Sequence, residues 1–291
     1  MKTRNRKINK KLIVFDLDET IGHFEEFGRF ISGLEYFHKQ KWFVKSYDED
    51  AFDKILEKYF DILLHLYPEF FRYGIFKVFE DVLKKKRINK HLKVAIYTNN
   101  MGPRSWTIYI KNFIEKKIKH KLFDIIITGF HTNTDKRRTT HNKTHKDLIN
   151  CSNLPKNIPI LFFDDQFHRD MVHNNIKYIH LHPYKMSISF DEMSKRFLEN
   201  KDKMGKEFEF TSEVSEKEFT NTMHEILLKM GENRPTYRVR KLHVSKIDKD
   251  ELVRIKKSIK HFTKGTQRRK TNKKNKTKKT KKNSKKNSKK L

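Results

Sequence analysis

The stretch that decides the fold is Leu12-Ile13-Val14-Phe15-Asp16-Leu17-Asp18-Glu19-Thr20, in which a short apolar run ends abruptly in acids. An apolar run of this length with β-branched residues is typical of a buried parallel strand. Residues just past the carboxyl end of such a strand lie where open α/β sheets bind ligands. If the chain turns there, the carboxylates of Asp16 and Asp18 can converge on one cation. The stretch therefore predicts an α/β fold with a metal-dependent phosphoryl-transfer site.

Four later segments have the same apolar character, and polar residues follow each of them. The segments are 91–97, 124–127, 158–163 and 176–181, and they lead into Thr98-Asn99-Asn100, Thr128-Gly129, Asp164-Asp165 and His182-Pro183. The short 124–127 segment is expected at an edge of the sheet. Helical patterns lie between the strands, over 50–66, over 75–86, from a first helical residue Pro103, and after a capping-box Thr144. Alternating strands and helices predict a parallel sheet with helices on both faces.

Composition divides the chain into an α/β domain and three other parts. Residues 1–11 form a basic arm, 12–185 the α/β domain with a helical insert over 21–90, 186–263 a helical appendage, and 264–291 a lysine-rich tail. The appendage is predicted from the helix starts Ser189…Glu192 and Ser215…Glu218, with Gly231 as a stop. The tail carries fifteen Lys or Arg and no acid. It cannot bury enough apolar surface to offset chain entropy, so we expect it to be disordered.

Charge and cysteine content narrow the class of protein. The chain has 291 residues, a net charge of +31 and a single cysteine, Cys151. One cysteine excludes an internal disulfide and favours a reducing compartment. No apolar run approaches the roughly 20 residues of a membrane span, and the run after the basic start is too short for a signal peptide. We expect an intracellular protein, nuclear or cytoplasmic. Abundant Lys and Asn with scarce Gly indicates an AT-rich genome, such as that of a large DNA virus or a protist.

Four chemical groups, each at a strand end, make up the candidate site. In chain order they are Asp16 with Asp18, Thr98, a lysine within 143–146, and Asp164 with Asp165. This order resembles the haloacid dehalogenase superfamily of phosphotransferases. Within it, Phe15-Asp16-Leu17-Asp18-Glu19-Thr20 is similar to the signature of phosphatases that act on the RNA polymerase II C-terminal domain and of the NLI-interacting-factor-like phosphatases. The resemblance covers roughly 12–183, and only its first motif is specific when taken alone.

The resemblance implies a role for each group. Asp16 would be the nucleophile that forms an aspartyl-phosphate, and Asp18 would protonate the leaving oxygen and then activate water. Thr98 would hydrogen-bond the transferring phosphoryl group. Mg²⁺, a hard cation with oxygen ligands, would bind Asp16, the backbone carbonyl of Asp18, Asp164 and Asp165, the last of these directly or through water. The lysine would balance the charge of the phosphate and the nucleophile.

Two lysines compete for that role. Lys146 begins a Lys-Asp-Leu stretch that resembles one in the polymerase-tail phosphatases. Lys143 instead precedes the capping-box Thr144, which would place it at a helix start facing the strand ends. On this geometry we favour Lys143 as the catalytic lysine and keep Lys146 as the alternative.

Several other features have plainer interpretations. Thr20 is expected to stabilise the turn after the first strand. Asp170 is expected to be a solvated charge on a helix face, with a third acid of the site as the alternative. The spacing of the four nearby histidines, His141, His145, His168 and His173, matches no compact zinc ligand set. The aromatic stripe over 52–79 predicts core packing, with a substrate groove as the alternative.

Three functions remain open from the sequence. The first is a Mg²⁺-dependent phosphatase acting on phosphoserine or phosphothreonine in a protein. The second is a phosphatase for nucleotides or nucleic-acid ends, and the third is a non-enzymatic nucleic-acid-binding protein on the same scaffold. The 264–291 tail is compatible with a solvated tail, a nuclear address, or nonspecific nucleic-acid binding by counterion release, and less so with attachment to an anionic membrane.

Overall fold

The computed structural model of the chain describes residues 10–45, 49–130, 137–231 and 243–264. Most of the predicted basic arm and all but the first residue of the predicted tail lie outside these ranges. Their expected behaviour therefore stays a prediction. Within the described ranges, no helix combines the length and the apolar character that crossing a membrane requires.

Five parallel strands form one sheet in the order β3-β2-β1-β4-β5. The strands are β1 Lys11–Phe15, β2 Leu92–Tyr97, β3 Ile125–Ile127, β4 Ile160–Asp164 and β5 Ile176–His180. All five were predicted, with ends that shift by at most two residues, and β3 lies at an edge as expected. From β1, the chain adds β2 and β3 on one side of the sheet and then β4 and β5 on the other side, so a topological switch point lies between β1 and β4. Ligands of open α/β sheets bind at such a switch point.

Eight α-helices surround the sheet in the described part of the chain. They are α1 Glu25–Lys39, α2 Glu49–His65, α3 Ile75–Ile88, α4 Arg104–Lys117, α5 His145–Ser152, α6 Phe190–Leu198, α7 Glu216–Gly231 and α8 Lys246–Thr263. Three short 3₁₀ segments, Pro68–Phe70, Arg169–Met171 and Lys201–Phe208, complete the elements. The helices α1, α2 and α3 lie between β1 and β2, within the 21–90 segment.

Side-chain caps fix the starts of three helices where the sequence predicts them. Thr144, Ser189 and Ser215 each accept a hydrogen bond from the backbone N–H three residues later, at 3.0, 3.2 and 3.1 Å. Such a cap satisfies one of the free N–H groups at a helix start and stabilises the helix by about 1 kcal/mol. The prediction for Pro103 was off by one position, because it occupies the N-cap and Arg104 is the first helical residue.

Alternate residues of the central strand face two separate apolar clusters. Ile13 and Phe15 belong to the larger cluster, which α1, α2, α3 and α4 cover, and residues from α6, α7 and α8 join it. Leu12 and Val14 face a smaller cluster that α5 covers through Leu148. The predicted helices on both faces of the sheet are confirmed. Both faces of β1 are therefore buried, and acidic residues begin only beyond its carboxyl end.

Candidate active site

The crevice at the switch point of the sheet brings two strand ends together. The backbone N–H of Asp16, just after β1, donates to the carbonyl oxygen of Phe163 in β4 at 2.9 Å. Asp164 is the last residue of β4. Because β1 and β4 are parallel neighbours, the carboxylates that follow them lie at the same carboxyl-terminal end of the sheet.

Three buried acids meet in this crevice. One carboxylate oxygen from each of Asp16, Asp164 and Asp165 lies within 4.8 Å of the other two. Asp164 is fully buried and the other two are at most 8 % exposed. Buried carboxylates are costly unless a cation or hydrogen bonds compensate them, and carboxylate oxygens are the ligands that hard divalent cations prefer. The three acids could therefore hold a metal ion.

Lys143 bridges two of the three acids. Its Nζ lies 2.5 Å from Asp16 Oδ1 and 2.7 Å from Asp164 Oδ2, and its side chain is 2 % exposed. It directly precedes Thr144, the N-cap of α5, as the sequence argument for this lysine assumed. Lys146, the alternative, is exposed one turn further along the helix. The structure thus brings Lys143 to the acids and leaves Lys146 in solvent.

The electrostatics of the cluster favour an additional cation. Burial raises the pKa of Asp16 well above its ordinary value, although Lys143 opposes that rise. Burial also raises the pKa of Asp164, but the neighbouring His168 and Lys143 outweigh it, and the net pKa is lowered. For Lys143, burial lowers the pKa, while the charges of Asp16 and Asp164 raise it by more. One ammonium group is therefore fixed among three acids, and a second positive charge would stabilise the carboxylate form of Asp16.

Asn100 connects Asp18, in the loop after β1, with Thr98, in the loop after β2. Its side-chain Nδ2 donates to Asp18 Oδ2 at 3.0 Å, and its backbone N–H donates to Thr98 Oγ1 at 3.0 Å. Burial raises the pKa of Asp18, with the Asn100 hydrogen bond opposing it. A carboxyl group with a raised pKa is suited to general acid–base work. The carboxylate of Asp18 lies outside the three-acid cluster, so its metal contact through the backbone carbonyl stays a prediction.

Thr20 links the two acidic loops. Its Oγ1 donates to Asp165 Oδ1 at 3.1 Å and accepts from the backbone N–H of Asp165 at 3.1 Å. These contacts hold the loop after β1 against the loop after β4. They agree with a turn-stabilising function for this side chain.

Arg72 fixes the backbone of the first motif, and the sequence analysis did not find it. Its buried guanidinium donates to the carbonyl oxygens of Thr20 at 2.6 Å, Glu19 at 2.5 Å and His182 at 2.9 Å. Glu19 has a φ of 55°, a left-handed conformation that costs energy for a residue other than glycine. Arg72 therefore compensates a strained turn beside Asp18. A lone arginine between two helices gives no sequence signal for this contact.

Replacing Arg72 by Met should destabilise the protein by about 2 to 4 kcal/mol, because it removes a buried guanidinium and leaves the carbonyl oxygens of Thr20 and His182 without this donor. The measurement is the free energy of unfolding from urea titration. Arg87→Met is the control, since Arg87 is exposed at the end of α3, and it should change stability by less than about 0.5 kcal/mol. Equal losses for the two variants would show that Arg72 does not hold the turn.

Arg138 plays the same part for the second motif. Its buried guanidinium donates to the carbonyl oxygens of Thr98 at 2.7 Å and His141 at 3.0 Å, and it also contacts Thr128 O and Asn99 Oδ1. It lies over the Tyr97 ring, 5.0 Å from the centroid. Its Nε also donates to Thr140 O at 3.1 Å, so all five N–H donors of Arg138 have an acceptor in the loops around Thr98. It positions this part of the site, while Lys143 supplies the positive charge at the acids.

The remaining sequence candidates lie away from the acids or at their edge. In the described ranges the three acids are the single cluster of three or more His, Cys, Asp or Glu ligand atoms. None of the four histidines belongs to that cluster. His168 approaches Asp164 to 3.5 Å, and the rings of His145 and His173 stack 4.0 Å apart. Asp170 is exposed, as predicted.

No known family model matches this chain, and a search of curated proteins finds no significantly similar sequence. The class of this protein is therefore described from its fold and from the geometry of its site. It is an α/β protein with a parallel five-stranded sheet, and a buried cluster of three acids that could hold a metal ion lies at the switch point of that sheet.

Proposed function

We propose that this protein is a Mg²⁺-dependent phosphatase of the haloacid dehalogenase type, which hydrolyses phosphate monoesters through an aspartyl-phosphate. The observation that carries the proposal is the contact of Lys143 with both Asp16 and Asp164 inside a cluster of three acids. Thr98 and Asp18 stand at the neighbouring loop, joined by Asn100. These residues are the four groups whose order along the chain resembles the haloacid dehalogenase superfamily.

In the first step, a carboxylate oxygen of Asp16 attacks phosphorus and forms an O–P bond. The bond from phosphorus to the leaving oxygen breaks, and its electron pair stays on that oxygen, which takes a proton from Asp18. Lys143 balances the negative charge of the nucleophile and of the phosphoryl oxygens. Thr98 donates its hydroxyl hydrogen to one of those oxygens. The leaving group departs as a neutral alcohol, and Asp16 carries the phosphoryl group.

In the second step, Asp18 acts as the general base, because it lost its proton to the leaving group in the first step. A water molecule gives a proton to Asp18 and attacks phosphorus, and the bond between phosphorus and Asp16 breaks. Inorganic phosphate leaves, Asp16 is again a carboxylate, and Asp18 is again protonated. One carboxyl group can serve in both directions because its raised pKa lies nearer the working pH than that of an exposed aspartate.

The carboxylates of Asp16, Asp164 and Asp165 would hold Mg²⁺. The resemblance to the haloacid dehalogenase superfamily implies the backbone carbonyl of Asp18 as a further ligand. When bound, such a cation neutralises negative charge on the transferring phosphoryl group. We further propose that 12–185 is the catalytic domain, that the 21–90 insert acts as a cap and that 186–263 is a helical appendage. As substrate we favour phosphoserine or phosphothreonine in a protein over a nucleotide or nucleic-acid end.

The first test is metal-dependent turnover of a generic aryl phosphate by the full chain. We expect turnover with Mg²⁺, a fall of about 10²-fold or more after chelation, and recovery when Mg²⁺ is restored. Heat-inactivated protein from the same preparation is the blank. Turnover that is equal with and without the metal would contradict the proposed chemistry, and no turnover under any condition would contradict the assignment as a phosphatase.

A further inference from the structure

A cavity of about 540 Å³ opens beside Asp18. It runs from Asp18 and Asn100 along α1 to the first turns of α2, and the start of α4 closes one side through Trp106. Its volume is in the range of ligand-binding pockets. Because the proposed mechanism has Asp18 protonate the leaving oxygen, the leaving group must lie next to Asp18. The cavity begins where the part of the substrate beyond its phosphate would be.

The lining of this cavity is acidic, although the chain as a whole is strongly basic. Among the described residues that line it, the acidic ones are Asp18, Glu19, Glu25, Glu35 and Asp53, and none is a Lys or Arg. The chain has 67 Lys and Arg against 36 Asp and Glu, so this lining runs against the overall charge. Another lining residue, His23, has a potentially basic side chain, and burial lowers its pKa. The cavity therefore presents negative potential to whatever enters beside Asp18.

Three of these acids have a basic neighbour outside the lining. Glu25 pairs with Arg29 at 2.5 Å and Glu35 with Lys39 at 3.1 Å, while Lys185 lies 3.7 Å from Glu19. The pairs of Glu35 and Glu19 are at least one quarter exposed on both sides, and exposed pairs of this kind contribute between about 0 and 1 kcal/mol. A cation brought by a ligand can compete with them. Asp53 is exposed on α2 at the rim.

The rest of the lining is apolar and partly aromatic. Phe24, Ile31, Phe52, Leu56 and Trp106 contribute to it. Lysine and arginine place their aliphatic stems along apolar surface while the charged head reaches polar groups. The face of an indole ring such as that of Trp106 also attracts a cation. Phe52 belongs both to the core and to this lining, so both interpretations of the 52–79 aromatic stripe apply to it.

We propose that the cavity binds the segment flanking a phosphorylated residue, and that this segment is basic: the substrate is a phosphoprotein with Lys or Arg next to its phosphoserine or phosphothreonine. This inference rests on the proposed phosphatase function and names its substrate class. A nucleic-acid end would bring phosphodiester charges against Glu19, Glu25, Glu35 and Asp53, the four lining acids other than the protonated Asp18, and like charges at an interface are unfavourable. The lining thus favours a basic peptide over the nucleic-acid alternative.

The experiment compares substrates of opposite charge on the full chain with Mg²⁺. One peptide has a central phosphoserine flanked by Arg and Lys, a second of equal length has Glu and Asp at the same positions, and a 5′-phosphorylated oligonucleotide is the third substrate. We expect kcat/KM for the basic peptide to exceed that for the acidic peptide by about tenfold, since each weak ion pair contributes a factor of about 1.4 to 5. The oligonucleotide should be hydrolysed more slowly than the basic peptide.

A matched pair of variants tests whether the cavity causes the preference. Glu35→Gln with Asp53→Asn removes two charges from the lining and should reduce the basic-to-acidic ratio of kcat/KM by about threefold or more. Glu57→Gln with Glu80→Gln makes the same change in net charge on exposed faces of α2 and α3 outside the lining, and it should leave the ratio unchanged. The ratio is measured within each variant, so differences in folded fraction cancel.

Turnover of an aryl phosphate in parallel separates the two claims. If the wild type hydrolyses the aryl phosphate but treats the two peptides alike, or prefers the acidic peptide or the oligonucleotide, the inference is wrong and the phosphatase function stands. An unchanged ratio in the cavity variant also overturns the inference. If neither the aryl phosphate nor any other substrate is hydrolysed, both claims fall.

Discussion

Asp16→Asn is expected to lower turnover of an aryl phosphate by about 10⁴-fold or more. An amide oxygen is a poor nucleophile, so no aspartyl-phosphate can form. Asparagine is close to aspartate in shape, and its side-chain oxygen can still accept the hydrogen bond from Lys143 that the carboxylate accepts at 2.5 Å. The loss should therefore appear in kcat while the circular dichroism spectrum and the urea midpoint show a folded protein.

Asp170→Asn is the matched control for this variant. Asp170 is an exposed acid in the 3₁₀ segment Arg169–Met171 after β4, near the site in sequence but with its side chain in solvent. It should retain turnover within about twofold of the wild type, since substitutions at exposed positions away from special contacts have small effects. If Asp16→Asn kept even a tenth of the wild-type rate, Asp16 could not be the nucleophile.

Lys143→Met is expected to cost about 3 to 5 kcal/mol of unfolding free energy in the absence of divalent metal. The side chain is 2 % exposed and contacts two buried carboxylates, at 2.5 and 2.7 Å. Its removal leaves Asp16 and Asp164 as buried charges with no ammonium between them. Turnover should also fall sharply, because the charge of Lys143 is absent from the site during attack on the phosphoryl group.

Lys146→Met separates the two lysines that the sequence offered. Lys146 is exposed on α5, three residues beyond Lys143, so its replacement should change stability by less than about 0.5 kcal/mol. The urea midpoints of the two variants and of the wild type, measured with a chelator present, give the comparison. A larger loss for Lys146→Met than for Lys143→Met would reverse the assignment.

The sheet and the acids were accessible to sequence reasoning because their signals are local. The apolar run before Asp16 and the equivalent run before Asp164 each mark a strand and its end. Because β1 and β4 pair in parallel, the carboxyl ends of both strands lie at the same end of the sheet. The position of Lys143 was predicted in the same way, with Lys146 as the alternative, because the cap at Thr144 fixes where the helix starts and thus where the preceding residue faces.

The parts that sequence reasoning missed depend on contacts between distant segments. Arg72 donates to carbonyl groups of Glu19 and His182, which tertiary folding alone brings together. The helix α1 lies within the predicted helical insert over 21–90, but its bounds were not predicted, and Phe24 at its N-cap provides no side-chain cap. The acidic cavity is likewise invisible in the sequence, since its acids come from the loop after β1 and from two helices that pack beside it.

The most direct test of the account is a crystal structure of the full chain grown with Mg²⁺ and beryllofluoride, a mimic of a phosphoryl group on a carboxylate. The account predicts beryllium bonded to a carboxylate oxygen of Asp16, a Mg²⁺ ion in contact with Asp164, and Lys143 Nζ next to a fluorine atom. Beryllofluoride on another residue, or Mg²⁺ bound away from the three acids, would contradict it.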